Sequence, residues 1–212
     1  HNQSRRQRQM CIRDSAGVDG DVTIGNAATT TITFDGSIYS VGDAATHDIL
    51  VKSASGENIQ FTKGASTEVI TVGGGTITFN NGSDAGSIYL AASTPLTINS
   101  KGGAIDIASV YGVATGDNNL TINANTAGGA TDSDGNTTET IKIGAIGDAD
   151  EISAVTLDGV DGITLAGNIT LADDAGADLD INGKVFIDGN VTITTDNTTD
   201  DGTINFSSTI DG

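Results

Sequence analysis

Tryptophan is missing from this sequence, and cysteine, proline and methionine occur once each. The lone cysteine is Cys11, so the chain after it can hold neither a disulfide nor a thiolate zinc site. Arginine stops at Arg13, and from Ala16 onward the only cations of fixed charge are Lys52, Lys63, Lys101, Lys142 and Lys184. Against those five stand 27 of the 28 carboxylates, a net charge of −22 for residues 16–212. Such a surface repels phosphate backbones and anionic lipid, which excludes a nucleic-acid partner. Histidine is nearly absent too: beyond His1 there is only His47. No apolar run reaches the ~18 residues of a membrane span. No segment carries the 3.6-residue period of an amphipathic helix.

The first fifteen residues, HNQSRRQRQMCIRDS, hold all four arginines and differ in composition from the rest of the chain. Met10-Cys11-Ile12-Arg13-Asp14-Ser15 resembles a translated sequencing-library adaptor. Residues 1–15 are therefore read as an artefactual or disordered tail, and 16–212 as one fragment cut at both ends.

What the chain has in quantity is glycine, 29 residues of it, with threonine, asparagine and aspartate. That mixture suits many short strands joined by tight turns. Residues 163–171 read ITLAGNITL and residues 185–193 read VFIDGNVTI, an offset of 22. A third strand precedes each copy, Val155-Thr156-Leu157 and Leu179-Asp180-Ile181, and a further round opens at Ile204-Asn205-Phe206. The apolar-x-apolar unit recurs upstream at Ile32–Phe34, Ile59–Phe61, Ile77–Phe79, Ile88–Leu90, Leu96–Ile98, Ile105–Ile107, Leu120–Ile122 and Ile141–Ile143. Alternation of this kind is the strand period. Three strands per repeat predict an all-β, three-faced parallel β-helix of about 22–25 residues per rung, with a looser loop at 123–140. Asp-Gly and Asn-Gly pairs at 35–36, 81–82, 158–159, 182–183 and 188–189 supply the turns. The same pairs close hairpins, so an antiparallel β-sandwich or meander is the competing fold. A hairpin array has no reason to return one turn at an offset of 22.

Gly86-Ser87-Ile88-Tyr89-Leu90-Ala91-Ala92, Leu96-Thr97-Ile98-Asn99, Gly189-Asn190-Val191-Thr192-Ile193-Thr194 and Gly202-Thr203-Ile204-Asn205-Phe206 are short phrases of one style. In them the sequence resembles the repeat regions of filamentous-haemagglutinin-type adhesins and related autotransporter passenger domains. The resemblance implies a right-handed β-helix, export across an outer membrane to the bacterial cell surface, and a role in adhesion or biofilm. It supplies no functional residues of its own.

Catalytic signals are sparse. His47 has no G-x-S-x-G elbow near it and reads as a solvated loop residue; Gly73-Gly74-Gly75 reads as a turn, not a phosphate loop. Asp132-Ser133-Asp134-Gly135-Asn136 opens like a calcium loop, but Ile143 stands where the closing Glu belongs. Other acidic clusters, at 148–151, 173–174 and 196–201, read as solvated turns. Weak calcium binding is the one cofactor the sequence leaves open, and no metal site is assigned. The outward middle position of the strands is Thr at 78, 97, 121, 156, 164, 170 and 192; only Thr192 and Thr194 would form the paired rank of an ice-binding face. Asn168 and Asn190 are expected to ladder at a turn. The two outward aromatics, Tyr89 and Phe186, are the candidate surface-binding residues, for host or environmental glycans or surface proteins. The expected function is thus a non-catalytic fragment of a large secreted or cell-surface bacterial adhesin or structural repeat protein, its nearest partner the rest of its own solenoid. A β-helical polysaccharide-acting enzyme with its active site elsewhere, and a surface-layer or phage-fibre stalk, are the alternatives.

Overall fold

The computed structural model describes residues 21–26, 28–40, 47–71, 74–79, 87–112, 118–125, 139–147, 151–172, 176–195 and 202–212. Within them the chain forms strands and turns, with no helix. The first rung is β1 (Val22–Gly25), β2 (Ile32–Phe34) and β3 (Ile38–Tyr39). The second is β4 (Ile49–Lys52), β5 (Asn58–Phe61) and β6 (Thr67–Ile70); the third is β7 (Ile77–Phe79), β8 (Ser87–Leu90) and β9 (Leu96–Asn99). In the fourth and fifth, one long strand turns the first corner without breaking: β10 (Ile105–Gly112) precedes β11 (Leu120–Asn123), and β12 (Thr140–Ile146) precedes β13 (Val155–Asp158). The sixth is β14 (Gly162–Leu165), β15 (Ile169–Thr170) and β16 (Leu179–Asn182); the seventh is β17 (Val185–Ile187), β18 (Ile193–Thr194) and β19 (Ile204–Phe206). An eighth opens at β20 (Ile210–Asp211).

Every strand pairs with its counterpart one rung away, and every pairing is parallel. One face stacks β1-β4-β7-β10-β12-β14-β17-β20. A second stacks β2, β5, β8, the end of β10, the end of β12, β15 and β18. The third is β3-β6-β9-β11-β13-β16-β19. The molecule is a three-faced parallel β-solenoid, and the antiparallel sandwich is excluded. A chain can pair in parallel only by travelling round a crossover, and here two other faces are the crossover.

The inward columns explain why the stack holds. Ile49, Ile77, Ile105, Ile141, Ile163 and Val185 lie in register on the first face, each at most 1% exposed. In-register parallel pairing places like side chains over one another, and β-branched residues fill that slot well. The second face begins with an aromatic pair instead, Phe34 lying 5.1 Å from Phe61 at 28°, and across the interior Phe61 meets Phe79 of the first face edge-on at 6.3 Å. Toward the C-terminal end the columns open: Ile204 on the third face is 44% exposed and Ile210 on the first face 52%.

Two expectations need correction. The period of about 22–25 holds for the C-terminal rungs and, on the second and third faces, for the step from the third rung to the fourth, but not along the whole coil. On the first face the steps are 27 from Val22 to Ile49, 28 to Ile77, 28 to Ile105, 36 to Ile141, then 22, 22 and 25. Stacking constrains the strands alone, and lengthening a turn costs little closure entropy. Of the segment expected as a looser loop, 123–140, Asn123 ends β11, Thr140 begins β12 and Glu139 is buried; residues 126–138 lie outside the described residues, as do 1–15.

The second correction is a shift. The two GN phrases do not stack on one another. Ile169 pairs with Ile193 and Thr170 with Thr194, an offset of 24 rather than 22. A two-residue slip keeps the same side chains inward, so the pleat tolerates it. Asn168 therefore forms no ladder with Asn190; its Oδ1 accepts the Thr192 N–H at 2.9 Å. Asn168→Ala is expected to lower stability by about 0.5–1.5 kcal/mol, whereas Asn190→Ala stays within ~0.5 kcal/mol of wild type. Urea midpoints of the two variants measure this, and equal losses would restore the 22-residue register.

Candidate binding surface

Strand alternation gives every face outward columns running along the coil. Tyr89 stands on the second face in the third rung, and Phe186 on the first face in the seventh. The fold does not bring the two together. Each has a different neighbour. Tyr89 pairs in register with Tyr111, their ring centroids 5.2 Å apart and tilted by 58°. Phe186, 39% exposed, lies under Lys184, whose Nζ is 4.8 Å from the ring centroid and 2.9 Å from Asp211 Oδ2.

Two aromatic positions escaped the sequence reading, Tyr111 and Tyr39. The signal for Tyr111 was present: Ser87-Ile88-Tyr89 returns as Ser109-Val110-Tyr111 at an offset of 22. For Tyr39 a repeated phrase would have misled, because GSIY at 36–39 lies on the third face and GSIY at 86–89 ends on the second. Tyr39 is 43% exposed, and its hydroxyl donates to Glu68 Oε2 at 2.5 Å. That bond raises the phenol pKa, because ionising the phenol would lose it.

Many carboxylates are tied to neighbouring rungs rather than freely solvated. Asp21 Oδ1 accepts the Asp48 N–H at 3.1 Å, and Asp48 Oδ1 accepts the Thr76 N–H at 2.7 Å. Asp161 Oδ2 accepts the Glu139 N–H at 3.0 Å. Asp178 Oδ1 accepts both the N–H of Thr203, at 2.8 Å, and its hydroxyl, at 2.7 Å. Each acid closes a backbone donor that lies just ahead of a strand in an adjacent rung. The backbone bond and then the hydroxyl bond hold the Asp178 carboxyl below its ordinary range. Asp158 differs. Burial raises its pKa; the Asn125 amide, donating at 2.6 Å, opposes that rise, and the charge of Glu139 adds to it.

The signs of these shifts set opposite responses to pH. The contribution of Asp178 is full above its unfolded value of roughly 3.9 and is lost as pH falls through its lower folded value. Asp158 is disfavoured as its charged form appears, so Asp158→Asn is expected to raise the melting temperature at neutral pH. That gain fades through the acid range and vanishes below roughly pH 3.9. Asp178→Asn should lower the melting temperature at neutral pH, with the difference shrinking in acid. Melting curves at neutral and acid pH check both; equal behaviour of the two variants would contradict the assignment.

His47 does not sit in solvent. It is 2% exposed at the entry to β4, and an added Cβ on Gly75 of the next rung would lie 1.9 Å from its carbonyl oxygen. The solvated-loop expectation is therefore wrong: close rung contact buries this position. Among the described residues no three His, Cys, Asp or Glu side chains converge as a metal site would require. The calcium-like stretch 132–136 and the acids at 148, 150, 173, 174, 196, 200 and 201 lie outside the described residues. Thr192, expected to pair with Thr194 as an outward rank, precedes β18 and gives its N–H to Asn168.

Comparison with known protein families, with curated proteins and with solved structures finds no match.

Proposed function

We propose that this chain is a non-catalytic stretch of a secreted bacterial cell-surface repeat protein, in which the coil is both spacer and adhesive surface. The observation that carries this reading is the unbroken seven-rung parallel stack. It uses 22 to 36 residues to advance one strand spacing of about 4.8 Å, so its seven steps reach about 34 Å. A stack bound through backbone ladders and aliphatic columns suits a stiff spacer. The acids capping successive rungs favour a structural use of charge over acid–base chemistry. The cysteine-poor, acidic composition and the phrase-level resemblance to adhesin repeats point the same way.

Two measurements test the reading. Incubation with pectate, alginate and hyaluronan should release no reducing ends or unsaturated products. Coated on beads, the protein should raise bead retention on bacterial or host-cell layers above that of beads coated with a non-adhesive protein. Turnover of any polysaccharide would overturn the non-catalytic part, and unchanged retention the adhesive part.

A further inference from the structure

We propose that a neutral oligosaccharide binds along the second face, on the track formed by Tyr89 and Tyr111 with Gln60, Asn58, Ser87 and Ser109. This deepens the adhesive reading and takes from it only that the ligand is a surface glycan. The track consists of two adjacent outward columns. One holds Gln60, Tyr89 and Tyr111 in register on three successive rungs. The other holds Asn58 paired with Ser87, and Ser87 Oγ lies 2.6 Å from Ser109 Oγ. Two residues separate the columns along the strand, about 6.6 Å.

The chemistry is that of a sugar site. Apolar C–H faces of a pyranose stack on tyrosine rings, and its hydroxyls need amide and hydroxyl partners beside them. Here the aromatic column supplies the first and the Asn–Ser–Ser column the second. The 58° tilt means both rings cannot lie flat under one sugar; one ring stacks while the other presents its edge. Rungs repeat every ~4.8 Å, close to the advance per unit of an extended hexose chain, so the chain lies across the strands, along the coil axis.

Charge selects the glycan. None of the six track residues is charged, and residues 16–212 carry −22, so sulfated or uronate chains find no cation and a repulsive field. A neutral chain meets neither obstacle.

The test titrates the full chain with cellohexaose, N-acetyl-chitohexaose and a heparin hexasaccharide, by calorimetry and tyrosine fluorescence. At least one neutral hexasaccharide should bind, and heparin should not. Tyr89→Ala and Tyr111→Ala should each weaken binding by about tenfold, since one stacked ring is worth on the order of that factor. Tyr89→Phe should retain it, and Phe186→Ala, on another face, should leave it unchanged. Circular dichroism confirms that each variant is folded. Should the folded wild type bind neither neutral probe at millimolar concentration, prefer heparin, or bind equally well with the tyrosines removed, the proposal is overturned. That result leaves the spacer reading intact, whereas cleavage of a probe would remove the non-catalytic reading.

Discussion

Replacing Phe61 by alanine is expected to cost about 3–5 kcal/mol, as removal of a fully buried aromatic generally does. Phe61 is fully buried, stacked on Phe34 from the rung below and set edge-on against Phe79. In register it also bridges Phe34 and Leu90. Its loss opens a hole that neighbours held in ladders cannot close, and both aromatic contacts go with it. A domain's whole stability is only about 5–15 kcal/mol, so the effect should be visible without denaturant. It should also be local. In a solenoid each rung touches only its neighbours, so the damage belongs to the first three rungs. Amide exchange should accelerate from β1 to β8 while β13 to β17 keep their protection. A loss under about 1 kcal/mol, or uniform acceleration along the chain, would show that the aromatic stack is not what holds the N-terminal rungs.

Gly103→Ala is the second large effect, expected at about 2–4 kcal/mol. His47, Gly75 and Gly103 sit two residues ahead of Ile49, Ile77 and Ile105, one above another at the corner where the third face gives way to the first. An added Cβ on Gly103 would lie 2.3 Å from the carbonyl oxygens of both Gly74 and Gly75. These are backbone atoms just ahead of β7, and they cannot step aside as a flexible side chain would. Gly176→Ala is the control, since nothing lies within 4 Å of its added Cβ. Thermal unfolding of the two variants should differ by many degrees, the control melting close to wild type. If both melt alike, the rungs do not approach at that corner as described.

Much of the fold was legible because the strand period writes itself into the residues. Ile163–Leu165 and Val185–Ile187 read as stacked from sequence, and they pair in register. Leu120–Ile122 and Val155–Leu157, each read only as a strand, also pair in register. Strands with weaker alternation went unread. In β4, Leu50 faces outward between two inward aliphatics, and β6 begins on a threonine turned inward, so neither shows the apolar-x-apolar signature cleanly. Register on the second face was misread because identity is not adjacency: the GN turn recurs at 22, while backbone pairing obeys 24. The surface was less legible than the core. An outward side chain's neighbours come from the next rung, and Tyr111 becomes meaningful only once it is known to lie beside Tyr89. His47 was misjudged for the same reason: it is buried, and its backbone lies against Gly75 one rung away.

Scalar couplings across backbone hydrogen bonds test the parallel coil most directly. The Ile163 N–H donates to the Lys184 carbonyl at 2.7 Å, Leu120 to Ala154 at 2.8 Å, and Ile49 to Thr76 at 2.8 Å. Each should couple to a carbonyl one full rung further along the chain. Reciprocal couplings between Ile163 and a residue of β13 or β15, its neighbours in sequence, would mean antiparallel hairpins and would contradict the solenoid.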